Sequence, residues 1–118
     1  MKFIDQLKEK AKQNKKTIVL PETSDMRTIE AAGKVLAEGI ANIILVGDKE
    51  DIMSRAGDID LSGASFVDPK NYEKFDEYVD AFVEMRRKKG MTEARAKELL
   101  LTNPLYFGCM MVKQDDAD

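Results

Sequence analysis

The stretch "TIVLPETSDMRTIEAA", residues 17–32, decides the fold class. Its first four residues, Thr17 to Leu20, form an apolar, mostly β-branched run. Such a run suits a strand buried on both faces, and Pro21, which has no N–H for a ladder, ends it. A helix follows at once. Ile29, Ala32, Val35 and Leu36 recur at helical spacing, Ser24 or Thr23 can cap the start, and Gly39 stands where a left-handed stop is favoured. The unit reads strand, turn, helix.

The alternation repeats downstream. "ANIILVGD" (41–48) supplies a second apolar run, Ile43 to Val46, and Asp48 with "KEDIMSRAG" supplies a cap and a short helix. "ASFVDP" (64–69) is a weaker third strand, and Asn71 or Asp68 would begin a long helix, "YEKFDEYVDAFVEMRRKKG", that stops at Gly90. Thr92 caps a further helix to about Leu101, and Asn103 followed by Pro104 marks "PLYFGCMMVKQ" as helix rather than strand. Upstream, Phe3, Ile4, Leu7 and Ala11 fall on one side of a first amphipathic helix over residues 2–13. Strands alternating with helices imply parallel pairing, right-handed crossovers and a three-layer α/β sandwich with a mostly parallel sheet. The last residues, "MMVKQDDAD", run from an apolar helix into an acidic loop where the alternation calls for another strand, so the sandwich is expected to be incomplete.

Composition narrows the function. With 43% hydrophobic and 35% charged residues in 118, the chain is predicted to be globular with one core. It has no apolar run long enough for a membrane span, and its N-terminus lacks the apolar block of a secretory signal, which predicts a cytoplasmic protein. The net charge of -3 provides no basic field for nucleic acid. Without histidine and with Cys109 alone, neither a disulfide nor a structural metal site is expected.

Ligands of open α/β sheets sit beyond the carboxyl ends of the strands, which puts "PETSDMR" in the right place. Amides near Asp25 could hold an anion there. Against this, the turn has no glycine, and Glu22 and Asp25 would repel a phosphate. The other reading is that these acids complement the helix dipole and pair with Arg27.

Arg86 is more informative. On the long helix Tyr72, Phe75, Val79, Phe82 and Val83 form one apolar stripe, and Arg86 falls near its centre. Either its stem lies on apolar surface with its head in water, or Arg86, helped by Arg87, Lys88 and Lys89, binds an anionic ligand through the guanidinium fork. Cys109, among Phe107, Met110 and Met111, reads as a packed thiol, with Tyr106, Met110 and Met111 as core. No catalytic triad, GxGxxG or GxxxxGK stretch occurs.

Taken together, "TIVLPETSDMRTIEAA", "EMRRKKGMT" and "NPLYFGCMMVKQDDAD" resemble the opening of the phosphate acetyltransferases. The resemblance implies an acyltransferase that interconverts acetyl-CoA and phosphate with CoA and acetyl phosphate, using no metal or prosthetic group. It implies two α/β domains of the isocitrate and isopropylmalate dehydrogenase-like kind, paired subunits, and work in the cleft between domains. Residues 1–118 would then be the N-terminal portion of the first domain. The family's catalytic aspartate, serine and arginine would lie downstream of anything present. Arg86 matches a family arginine implicated in binding CoA, with Arg87 beside it. Thr23 departs from the family, many members of which have glycine there. The alternative is a free-standing, non-catalytic α/β ligand-binding or regulatory module.

Overall fold

The computed structural model describes residues 3–118. Six helices and three strands follow in the order α1 (Phe3–Gln13), β1 (Thr17–Leu20), α2 (Met26–Glu38), β2 (Asn42–Val46), α3 (Lys49–Ala56), β3 (Ser65–Val67), α4 (Phe75–Arg86), α5 (Glu93–Thr102) and α6 (Pro104–Lys113). Short 3-10 turns occupy Pro69–Asn71 and Arg87–Lys89. The strands form one parallel sheet in the order β1-β2-β3, with Ile18 beside Ile43 and Leu45 beside Phe66.

Side chains alternate faces along β2, and the two faces build two cores. Ile43 and Leu45 pack with Ile29 and Ala32 of α2 and with Ile52 and Ala56 of α3. Val46, with Ile44 beside it, joins Tyr78, Val79 and Phe82 of α4, Leu100 of α5, and Phe107, Met110 and Met111 of α6. Helices thus cover both faces of a parallel sheet, and an apolar run without polar alternation is what a strand covered on both sides requires.

Helix ends follow local chemistry. Gly39 is left-handed at φ 67° and its N–H donates to the Val35 carbonyl, which stops α2. Thr92 and Asn103 cap α5 and α6, with Pro104 in the first turn of α6. Two expected boundaries move. The cap of α2 is Asp25, whose carboxylate accepts the Arg27 N–H at 2.9 Å, rather than Ser24 or Thr23. Thr23 is unavailable because its hydroxyl donates elsewhere, to the Val46 carbonyl at 2.6 Å. The long helix begins at Phe75, not near Asn71, because Asp68 caps only the short turn over Pro69–Asn71 and Tyr72 is extended. That extended backbone lets the Tyr72 ring meet Tyr78 and Phe107 edge-on, at 5.3 and 5.7 Å between centroids.

A further difference concerns α1. The amphipathic helix forms, but none of its residues is buried, and Phe3, Ile4 and Leu7 stay exposed. Residue 2 lies outside the described residues. Among the described residues no helix is long and apolar enough to cross a membrane.

Candidate functional site

All three strands end at one crevice of about 250 Å³, lined by Pro21 and Thr23 after β1, Val46 and Gly47 at the end of β2, and Asp68 and Pro69 after β3. Leu101 and Pro104, at the junction of α5 and α6, close its far wall. Its position is the one expected of an open parallel sheet.

The turn that opens the crevice is braced from several directions. Thr23 is the buried polar residue of the described core, and its hydroxyl ties the end of β1 to the end of β2. Its carbonyl accepts from Arg55 Nη1 at 2.8 Å, while Arg55 also pairs with Asp51 at 3.0 Å. Gly47, at φ 142°, lies so close that an added Cβ would come within 3.0 Å of the Thr23 hydroxyl. Asp25 and Arg27 form an ion pair at 2.8 Å. The hydrogen bond from the Arg27 side chain, then that from its backbone N–H, holds the Asp25 carboxyl below the usual range. Glu22 is exposed and forms no ion pair among the described residues. Asp48 and Asp68, also at the crevice, cap α3 and the Pro69–Asn71 turn. Asp25, Asp48 and Asp68 are therefore engaged in holding turns; of the two acids in the dipole-and-pairing reading, Asp25 pairs with Arg27 and Glu22 does not.

Arg86 is placed differently. It is half-buried at the end of α4, with its guanidinium 5.6 Å from the centre of the Phe82 ring and 6.0 Å from that of Tyr106. No carboxylate pairs with it among the described residues. A cation set over two rings is attracted by their negative faces and still carries five N–H donors for an acceptor. Arg87 points elsewhere: it is exposed and pairs with Glu84 at 2.6 Å. Lys88 and Lys89 are exposed too. Arg86 does not line the crevice, so the structure separates the two places that the sequence marked out.

Two features escaped the sequence. Asp116 receives hydrogen bonds from Lys74 at 2.6 Å and from the Tyr78 hydroxyl, and Tyr72 lies 3.2 Å from that hydroxyl. The bond from Lys74, followed by that from Tyr78, holds the Asp116 carboxyl below its usual range. Burial, with Asp116 nearby, pushes the Tyr78 phenol well above its usual range. Nothing local in "DDAD" signals this, because both partners are about forty residues away. The second feature corrects an expectation: Cys109 is exposed, not packed. Phe107, Gly108, Met110 and Met111 turn inward on α6, and at about 100° per residue position 109 falls on the opposite side. Met110 and Met111 are core, as expected, while Tyr106 is half-buried.

Residues 2–118 match the family model described as phosphate acetyl/butaryl transferase. The chain belongs to this family. It is 47% identical over its whole length to the phosphate acetyltransferase of Acetivibrio thermocellus and 49% identical to that of Thermoanaerobacterium thermosaccharolyticum. It spans only 35% and 36% of those two proteins, so it corresponds to about a third of such a relative. Among solved structures of the family, the EutD phosphotransacetylase from Staphylococcus aureus superimposes with a TM-score of 0.83 at 38% identity. That match covers 98% of this chain and 35% of the other. A phosphotransacetylase from Streptococcus pyogenes gives 0.84 at 31% identity, over 100% and 37% of the two chains.

Proposed function

We propose that this chain forms the N-terminal portion of the first α/β domain of a phosphate acetyltransferase and contributes to its CoA site through Arg86. The observation that carries the site is a half-buried Arg86 with its guanidinium over the Phe82 and Tyr106 rings and no carboxylate paired with it among the described residues. Its fork suits a phosphate of CoA, which would complete its hydrogen bonds. Arg87, already paired with Glu84, adds long-range attraction rather than a fixed contact.

In the proposed reaction the thiolate of CoA attacks the carbonyl carbon of acetyl phosphate. The tetrahedral oxyanion then collapses and expels phosphate, leaving acetyl-CoA, and the reverse direction uses the same intermediate. Neither a metal nor a prosthetic group is required. The base for the thiol proton and the donors for the oxyanion would come from a second α/β domain, in the arrangement of the isocitrate and isopropylmalate dehydrogenase-like proteins. A homodimer would be the working unit. What these residues add is anchorage of one anionic substrate, which lets the two reactants meet in a fixed geometry.

Titration of CoA into the protein by calorimetry tests the assignment. Arg86→Ala is expected to weaken binding by about tenfold or more, as loss of one charge-assisted bidentate contact does. Arg86→Lys should recover only part of this, and Arg87→Ala should change it little. Equal affinity for the wild type and Arg86→Ala would remove Arg86 from the site. CoA binding with no acetyl transfer by a full-length relative carrying these residues would favour the reading as a ligand-binding module.

A further inference from the structure

Charge is divided unevenly along this chain. Residues 1–16 hold six lysines against Asp5 and Glu9, whereas the other 102 residues hold 13 basic and 20 acidic side chains. A positive end is therefore joined to a negative body, and that end carries the one amphipathic helix, α1, with no buried residue among those described.

At about 100° per residue, Phe3, Leu7, Ala11 and Ile4 share one stripe of α1. Lys10 borders one margin of that stripe and Lys8 the other, while Asp5 and Glu9 lie on the opposite side. Lys8 pairs with Glu38 of α2 at 2.6 Å, and Lys8 and Ala11 are half-buried, so α1 rests on the body by one margin of its stripe. The rest of the stripe is bare: Phe3 is 73% exposed, Ile4 58% and Leu7 48%. Lys10 on the outer margin, with Lys15 and Lys16 just past the helix, is exposed, and none of the three forms an ion pair among the described residues.

We propose that α1 lies on an anionic lipid surface, with Phe3, Ile4 and Leu7 sunk below the headgroups and Lys10, Lys15 and Lys16 meeting lipid phosphates. An apolar stripe bordered by lysines, on a helix whose acids face away, is the arrangement that holds a helix in the plane of a membrane interface. Lysine stems lie along the apolar surface and bring their ammonium groups up to the headgroups. At 11 residues α1 is too short to cross a bilayer, so it lies on the surface instead. The acidic body is repelled by the same lipid charge, which leaves the basic end to make the contact. Pairing α1 with α1 of a second copy is disfavoured, because the lysines along one stripe would be set against those of the other.

Lipid binding by α1 is independent of the acetyl-transfer reading, and its test uses no CoA. The protein is mixed at low salt with vesicles of phosphatidylcholine alone, or of equal parts phosphatidylcholine and phosphatidylglycerol, and the bound fraction is read after sedimentation. Partitioning onto the anionic vesicles is expected to exceed that onto the neutral ones by about tenfold or more, and to weaken as salt screens the lysines. Phe3→Glu with Leu7→Glu should abolish it, and Lys10→Glu with Lys15→Glu should weaken it by about tenfold or more. These positions are exposed, so the urea midpoint of each variant should match the wild type. Leu105→Glu with Val112→Glu, on the exposed apolar side of α6, should leave vesicle binding unchanged. No binding, equal partitioning onto both kinds of vesicle, binding that survives Phe3→Glu with Leu7→Glu, or binding lost equally with the α6 pair would each overturn the proposal. So would self-association in lipid-free solution that the Phe3 and Leu7 changes abolish, which would assign the stripe to a second copy. A full-length relative given residues 1–16 of this chain should show the same vesicle preference, and its failure to do so would overturn the proposal by assigning the stripe to other parts of that chain.

Discussion

The amphipathic helices α1 and α4 carry apolar stripes of similar spacing, yet α4 buries Tyr78, Val79 and Phe82 while α1 leaves Phe3, Ile4 and Leu7 exposed. The difference lies in what crosses them. α4 shares one core with α5, α6 and the sheet face that carries Val46, so its stripe meets Leu100, Phe107 and Met110. α1 precedes the first strand, and Lys8 on it pairs with Glu38 of α2 at 2.6 Å. Periodicity therefore reports that a helix has a face, and the number of elements packed on that face decides whether burial stabilises it.

The largest expected effect tests the covered side. Phe82→Ala should lower unfolding free energy by about 3–5 kcal/mol in urea titrations, the usual range for emptying a packed aromatic site. A loss well below that would mean that α4 is less covered in solution than its contacts with Tyr106 and the core suggest.

A smaller effect concerns how α4 holds the C-terminal turn. Asp116→Asn should cost about 1–3 kcal/mol by weakening hydrogen bonds to Lys74 and Tyr78. The folded-state carboxyl lies below its usual range, so its stabilisation is present above the ordinary carboxylate pKa and is lost as pH falls through the folded value. Stability measured from neutral pH downward should fall in the wild type, and that part of the slope should be missing in the Asn variant. Identical slopes would show that other carboxylates carry the acid sensitivity.

The smallest effects test the uncovered side. Arg87→Ala, which removes an exposed pair with Glu84, and Phe3→Ala on α1 should each stay within about 0.5 kcal/mol of wild type. A loss of several times that for Phe3→Ala would show that something covers α1 in solution, and the contrast between the helices would then disappear.

Much of the fold was legible because each signal was local. Pro21 ends β1, Gly39 ends α2, Asn103 with Pro104 starts α6, and each acts through its own dihedrals or donors. The candidate site was legible only in part. Arg86 stood out because a permanent charge on an apolar stripe has few comfortable solutions, but the sequence could not show that Tyr106 would share it with Phe82. Cys109 was misplaced because neighbours in sequence suggested burial, whereas the phase of α6 turned it outward.

The sequence by itself determined the order of strands and helices, the parallel pairing that such alternation demands, and the family, whose motifs lie in contiguous stretches. Only the tertiary structure decided which apolar faces are covered, that Thr23 holds β1 to β2 rather than capping α2, and that Asp116 closes on Tyr78 and Lys74. The physical reason is range. Dihedral preferences and caps act over a few residues, whereas burial and buried hydrogen bonds depend on groups brought together from distant parts of the chain, which only the completed packing specifies.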